Sequence, residues 1–154
     1  MYADSIVDKL YYPNQDEALV YNDSMLYYAL QLNDSILLFD SKENLANIKS
    51  QQNDFLGALD LYFEILAYSK KIKSSSFESV TLYNISLIYF KMGDYEEAEK
   101  YNLKSLKIRE KNKIDDKIYL NYQVLGSVYF LKGNIDESRR CFQEAIKTMP
   151  IGET

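Results

Sequence analysis

Residues that carry out acid–base, nucleophilic or metal chemistry are sparse in this chain. Histidine is absent, and the one cysteine, Cys141, falls on the interior-facing side of an apolar-periodic segment. The sequence has no glycine-rich phosphate loop and no acid cluster with metal-ligand spacing. Glu96 and Glu97 are adjacent on a predicted helix, so their side chains diverge. We therefore predict that the protein is not an enzyme and uses neither a metal nor a cofactor.

Charged residues indicate a solvated surface more readily than a site. Arg109, Arg139 and Arg140 could form a small anion site, but solvation of the surface is the simpler interpretation. The segment 94–100, DYEEAEK, has the charge spacing of an exposed helix face with pairing at i to i+4. The functional residues must therefore be sought among side chains that bind rather than react.

Length and composition indicate one domain, residues 1–154, with 47% hydrophobic residues to build its core. The formal net charge of −5 disfavours a nucleic acid or an anionic membrane as the main partner. The apolar runs are too short to span a bilayer, and the first residues lack a secretory signal, so we predict a cytoplasmic protein. Fifteen lysines against three arginines hint at an AT-rich bacterial genome.

An internal repeat of forty residues organises the sequence. Small residues recur in this register at Ala18, Ala58, Ala98 and Ser138. A second set consists of an apolar residue followed by a small one, and it comprises Leu45 and Ala46, Ile85 and Ser86, and Leu125 and Gly126. Within each unit the apolar residues recur at three and four, which is the period of a helix, and this pattern occurs twice. Each unit is therefore predicted to be a helical hairpin.

The turn of each hairpin is predicted from residues that end and start helices. Gly93 and Gly133 can adopt the left-handed conformation that ends a helix. Asp94 and Asn134 follow as N-caps of the next helix. The small residues of the two sets should face each other and let the two helix backbones approach closely. The sequence thus predicts an all-α solenoid of about four antiparallel hairpins, with repeats at approximately 1–33, 34–73, 74–113 and 114–150.

The residues of the last two units resemble a known family, the tetratricopeptide repeats. Its pattern is matched at its spacing by Tyr122, Leu125, Gly126, Tyr129, Ser138, Phe142 and Pro150. The second unit matches less well, with Lys49 and Asn53 where a tyrosine and a glycine are expected. The period exceeds the usual 34 residues, so helices and turns should be lengthened, in units similar to those of kinesin light chain and Gram-positive peptide-sensing regulators. The resemblance implies a right-handed superhelix.

The resemblance also implies a binding groove, since the first helices of such hairpins line a concave face. Carried over by position, this groove contains Glu43, Asn44, Asn47, Ser50, Val80, Tyr83, Asn84, Leu87, Lys91, Leu120, Gln123, Val124, Ser127 and Leu131. Asn44 and Asn84 are equivalent, and an asparagine there grips the backbone of an extended peptide in related proteins, although asparagine is also common there without that role. The mixed polar and aromatic character favours a peptide or protein segment over a terminal carboxylate.

Two functions are consistent with these predictions. The preferred one is a non-catalytic peptide-binding or protein-binding module, serving as the sensory or regulatory part of a larger bacterial signalling protein. The alternative is a structural scaffold or self-assembling adaptor that forms homo-oligomers through its convex face or end helix. The apolar stripe on that end helix suggests a fragment of a longer protein or an end that self-associates, and its residues are Ile135, Phe142, Ile146 and Met149.

Overall fold

A computed structural model describes residues 15–114 and 116–150, and side chains from residue 17 onward. These residues form helices and no strand. The helices are α1 Gln15–Leu32, α2 Ser35–Gln51, α3 Phe55–Lys71, α4 Ser75–Met92, α5 Tyr95–Asn112, α6 Ile118–Leu131 and α7 Ile135–Thr148. Within the described part of the chain, none of them is both long and apolar enough to cross a membrane.

Each helix packs mainly against the next one in the chain. Short turns make neighbouring helices antiparallel, so α2 with α3, α4 with α5, and α6 with α7 form three hairpins. Helix α1 packs against α2, and the residues before it in the predicted first repeat lie outside the described residues. The all-α solenoid predicted from the sequence is confirmed.

One turn geometry recurs every twenty residues along the chain. Each of these turns contains a residue of positive φ, from 51° to 80°, and these residues are Asn33, Asn53, Lys73, Gly93, Lys113 and Gly133. Each time, the N–H of the following residue donates to a carbonyl five residues earlier, as from Asp94 to Tyr89 at 3.0 Å. Turns within hairpins and turns between them therefore begin alike, and the turn from α5 to α6 differs only by continuing to Lys117, directly before Ile118.

The caps of the helices were only partly predicted. Gly93 has φ 80° and ends α4, and a side-chain oxygen of Asp94 accepts a hydrogen bond from the Glu97 N–H at 3.1 Å. Gly133 also has φ 80°, and Asn134 is the N-cap residue of α7 as predicted, but its side chain makes no capping hydrogen bond. The first turn of α5 is therefore better fixed than that of α7.

Small side chains bring the two helices of each hairpin together. Ala46, Ser86, Ala58 and Ala98 have no exposed surface. In the last hairpin the Ser138 hydroxyl donates to the Gly126 carbonyl at 2.8 Å. A Cβ atom at Gly126 would lie 2.9 Å from ring carbons of Phe142, so only glycine allows this approach without a shift. The close packing predicted for these positions is confirmed.

The hairpins meet at two junctions of different character. Where α3 meets α4, large apolar side chains form a continuous core, and we call this contact the apolar junction. Its residues are Phe39, Leu59, Tyr62, Ile65, Leu66, Leu82, Ile85 and Ile88. Where α5 meets α6, only Leu106, Ile118 and Leu125 form an apolar cluster. Buried Asn102, Ser105, Arg109 and Asn121 share this contact, which we call the polar junction.

Candidate binding face

The first helices of the three hairpins, α2, α4 and α6, carry the residues that the sequence places in a groove. Helices α4 and α6 contact each other, and the rings of Phe39 on α2 and Phe77 on α4 stack at 4.1 Å between centroids. Of the predicted residues, Asn47, Lys91 and Leu131 are exposed, and Ser50 is buried. The half-buried ones are Glu43, Asn44, Val80, Tyr83, Asn84, Leu87, Leu120, Gln123, Val124 and Ser127.

Two hydrogen bonds between side chains join α2 to α4 across this face. The Asn84 amide Nδ2 donates to the Glu43 carboxylate, and Lys91 Nζ donates to Ser50 Oγ at 2.8 Å. In both pairs the residues are 41 positions apart, so each bond links neighbouring repeats. The structure thus brings predicted polar residues of successive hairpins side by side.

The three predicted asparagines are in different states. Asn44 makes no side-chain hydrogen bond within the described residues, whereas the equivalent Asn84 is bonded to Glu43. Asn47 uses its side-chain oxygen to accept from the Tyr62 hydroxyl at 2.7 Å. Burial raises the pKa of Tyr62, and the Glu43 charge raises it further, so this hydroxyl remains a donor. Asn44 is therefore the asparagine best able to meet a ligand without breaking a bond.

The character of the face changes from one hairpin to the next. Helix α2 contributes polar side chains, α4 mixes Tyr83 with Val80 and Leu87, and α6 contributes Leu120 and Val124. Burial raises the pKa of Tyr83, an effect that the nearby Arg109 charge opposes. On α6, the Ser127 hydroxyl donates within its own helix, to the Gln123 carbonyl at 3.0 Å. The face is therefore more apolar toward α6.

Sequence reasoning missed Phe130, which is 61% exposed at the end of α6 beside the 51% exposed Leu131. The forty-residue register contained the signal, because Phe130 is equivalent to Ser50, which was included. An exposed phenylalanine at this position extends the apolar part of the face to the end of α6.

The side chains predicted for an assembly face lie on and just after α7. Ile146 is 73% exposed and Ile135 is 47% exposed, while Met149 is half-buried. Phe142 is 39% exposed, and its ring packs against Gly126. Phe142 therefore serves mainly the hairpin, and Ile146 is the most prominent apolar side chain of this surface.

The reactive groups occupy structural positions. Burial and nearby carboxylates, Glu137 first, raise the pKa of the half-buried Cys141 thiol, which disfavours the nucleophilic thiolate. Arg109 is buried and donates to the Asp116 carbonyl at 2.5 Å. Arg139 and Arg140 form exposed ion pairs with acids of their own helix. The described residues contain no group of three or more potential metal ligands.

Comparisons with known proteins agree with this architecture. Two family models, each described as a tetratricopeptide repeat, match residues 37–111 and 120–149. No curated protein matches the sequence significantly. Among solved structures, the crystal structure of BtubC (BKLC) from P. vanneervenii is similar, with a TM-score of 0.77 and 19% identity. The match covers 87% of this chain and 56% of that one, and at this identity it shows the fold alone.

Proposed function

The chain belongs to the tetratricopeptide repeat family, and on that premise we propose that the face formed by α2, α4 and α6 binds an extended peptide or protein segment. Tetratricopeptide repeats in general are modules of protein–protein interaction. The binding is non-catalytic, and the partner is a protein rather than a nucleic acid or a membrane, consistent with the net charge of −5.

The observation that carries this proposal is the pair of bonds between α2 and α4. They hold polar side chains of neighbouring repeats on one surface, as an extended chain crossing the repeats requires. A carboxamide offers a donor and an acceptor to one peptide unit. Asn44 can offer its donor and acceptor to a ligand directly, while Asn84 would exchange its hydrogen bond with Glu43 for one with the ligand.

The apolar part of the face supplies the second element of recognition. Leu87 and Val124 are half-buried, and Phe130 is largely exposed. Backbone hydrogen bonds give affinity to an extended peptide, and apolar surface selects among its side chains. The preferred ligand is therefore an extended segment that presents polar backbone toward α2 and apolar side chains toward α6.

The test uses peptides selected from a random display library against the whole chain. Replacing Asn84 and Tyr83 together with alanine should weaken the selected peptides about tenfold, since two contacts of the face are lost. The matched control is Leu103→Ala, which removes an exposed apolar side chain from α5, outside the face. Unchanged affinity in the double variant, with helical content retained by circular dichroism, would rule out this face.

We place this binding module in a larger bacterial signalling protein of the cytoplasm, as its sensory or regulatory part. The lysine-rich, arginine-poor composition supports a bacterial source. The full open reading frame checks this assignment directly. A DNA-binding or kinase domain in the same frame would support it, and a frame that encodes an unrelated secreted protein would contradict it.

A second candidate function, self-assembly through α7, rests on the 73% exposed Ile146 together with Ile135. Light scattering over a range of concentrations tests it. If α7 mediates assembly, Ile146→Glu should lower the mass, whereas Ile36→Glu, at a 63% exposed isoleucine of α2, should not. A mass of one chain at all concentrations would exclude this function.

A further inference from the structure

Seven exposed lysines gather at one edge of the solenoid. They lie at the ends of α3 and α5 and in the turns that follow these helices, and they are Lys70, Lys71, Lys73, Lys107, Lys111, Lys113 and Lys117. Because the helices alternate in direction, the turn from α3 to α4 and the turn from α5 to α6 are on the same side of the molecule. We call this set the lysine edge.

Ion pairing distinguishes these lysines from most of the other described lysines. None of the seven makes a side-chain hydrogen bond or an ion pair within residues 15–114 and 116–150. Most described lysines elsewhere pair with carboxylates, and the N to O distances are 2.8 Å from Lys42 to Glu64, 2.7 Å from Lys49 to Asp54 and 2.6 Å from Lys132 to Glu99. The exceptions are Lys91, which donates to Ser50, and Lys104, whose ammonium lies over the Tyr101 ring. The positive charge of the lysine edge is therefore not neutralised by the described part of the chain.

The described residues of the two turns and the adjoining helix ends, 70–78, 107–114 and 116–118, include three acids, and two of these are engaged. Glu110 accepts from the Tyr122 hydroxyl at 3.2 Å, and a carboxylate oxygen of Asp116 lies 4.0 Å from Arg109. Glu78, in the first turn of α4, is the third. Positive residues at the C-terminal ends of α3 and α5 also interact favourably with the helix dipoles. This interaction accounts for the position of some of the seven lysines but not of all seven. Lys73, Lys113 and Lys117 follow those ends, and each has positive φ.

We propose that the lysine edge is a docking surface for an acidic protein segment, separate from the face formed by α2, α4 and α6. Seven lysines that have no partner among the described residues, in a chain of net charge −5, form a local surface complementary to aspartate and glutamate side chains. Lysine ammonium groups on flexible stems accept carboxylates in many geometries. A segment of loosely spaced acids therefore fits better than a rigid anion.

Charge and dimensions favour a short segment over a longer polyanion. The turn from α3 to α4 and the turn from α5 to α6 are separated by the α4–α5 hairpin, in which packed helices have axes about 10 Å apart. An extended segment of roughly six residues spans about 20 Å. Such a segment reaches the lysines of both turns. A nucleic acid longer than this span would extend beyond the lysines over the surface of a chain whose net charge is −5.

The experiment uses the full chain and a fluorescein-labelled synthetic peptide of alternating glutamate and serine, followed by fluorescence anisotropy. The test variant carries Lys70→Gln, Lys71→Gln, Lys107→Gln and Lys111→Gln, which avoids the residues of positive φ. Peptide affinity should fall about tenfold, and raising the salt to about 0.3 M should weaken binding to the unmodified chain. The two substitutions on α3 alone, or the two on α5 alone, should each cause part of the loss of affinity. These double variants keep the test informative if the fourfold variant folds poorly.

The matched control carries Lys42→Gln, Lys49→Gln, Lys100→Gln and Lys147→Gln, which gives the same net charge. Equal loss in both variants would overturn the proposal, because it would show a response to net charge alone. Tighter binding of a DNA duplex or of phosphatidylserine vesicles to the lysine edge would overturn the assignment of the partner. The variant of Asn84 and Tyr83 should bind the acidic peptide normally, so this proposal can fail or succeed independently of the other face.

Discussion

The apolar and polar junctions occupy equivalent places in the repeat and are held together differently. At the apolar junction Tyr62 and Ile65 of α3 are almost completely buried in a cluster of large apolar side chains. Forty residues later, the equivalent positions on α5 hold Asn102 and Ser105, which are also completely buried. The same register therefore accommodates either a hydrophobic core or a network of hydrogen bonds.

The network at the polar junction is directional. Asn121 Nδ2 donates to Asn102 Oδ1 and to Ser105 Oγ, both at 3.0 Å, and Ser105 Oγ donates to the Ser79 carbonyl at 2.7 Å. Asn121 Oδ1 has no hydrogen-bond donor among the described residues. Buried polar groups contribute little when paired and cost much when left unpaired. The polar junction thus fixes the relative position of two hairpins more than it stabilises them.

The largest expected effect comes from removing a large apolar side chain at each junction. It tests whether the apolar junction contributes more to the stability of the protein than the polar junction does. Ile85→Ala should lower the free energy of unfolding by about 4 kcal/mol, since it leaves a cavity in the larger cluster. The equivalent Leu125→Ala should cost about 3 kcal/mol, because fewer buried apolar side chains surround it. Urea unfolding followed by circular dichroism measures both. A larger loss for Leu125→Ala would reverse the comparison.

A second substitution breaks the polar network itself. Asn121→Ala should lower the free energy of unfolding by about 2 kcal/mol, because Asn102 loses a donor in a buried place. At the equivalent position of the apolar junction, Thr81 donates only within its own helix, so Thr81→Val should cost about 0.5 kcal/mol. Equal losses in urea unfolding would mean that the network contributes no more than an ordinary hydroxyl.

A third change concerns close packing in the hairpin beside the polar junction. Gly126→Ala places a Cβ atom 2.9 Å from the Phe142 ring and should cost about 1.5 kcal/mol. Adding Phe142→Leu should recover part of this loss, because the smaller side chain can move aside. Thermal melts of the single and double variants measure the coupling. Simple addition of the two losses would show that the ring is not the obstacle.

The smallest expected effect is the difference between the N-caps of α5 and α7. Asp94→Ala should lower the free energy of unfolding by about 1 kcal/mol, since its side chain accepts the Glu97 N–H. Asn134→Ala should cost less than about 0.5 kcal/mol, because its side chain makes no capping bond. Urea midpoints of the two variants test this difference. Similar midpoints would show that the Asn134 side chain caps α7 in solution.

The periodicity of the sequence made the fold predictable, whereas individual turn conformations and side-chain contacts could not be predicted from it. The forty-residue register and the small residues were sufficient to predict hairpins and their close approach at Gly126. The left-handed turns at Lys73 and Lys113 were not predicted, because lysine carries no local preference for positive φ and its conformation follows from packing of the helices.

The candidate face shows a similar limit. Its positions follow from the register, but the bond between Asn84 and Glu43 depends on how α2 and α4 approach each other. The use of Asn47 by Tyr62 likewise depends on packing within a hairpin. Arg109, a candidate for a small anion site from the sequence, is buried, since a long side chain can reach between helices from near a helix end.

The recurrence of one turn every twenty residues gives the helices a parity. Even-numbered helices form the candidate face and odd-numbered ones pack behind them. Removal or duplication of forty residues would leave this parity intact, whereas a change of twenty would exchange the two roles for every helix downstream. The turns alone could tolerate a change of twenty residues as well as one of forty, because they recur every twenty residues. The alternation of roles therefore makes a pair of helices the smallest unit by which such a chain can grow or shrink.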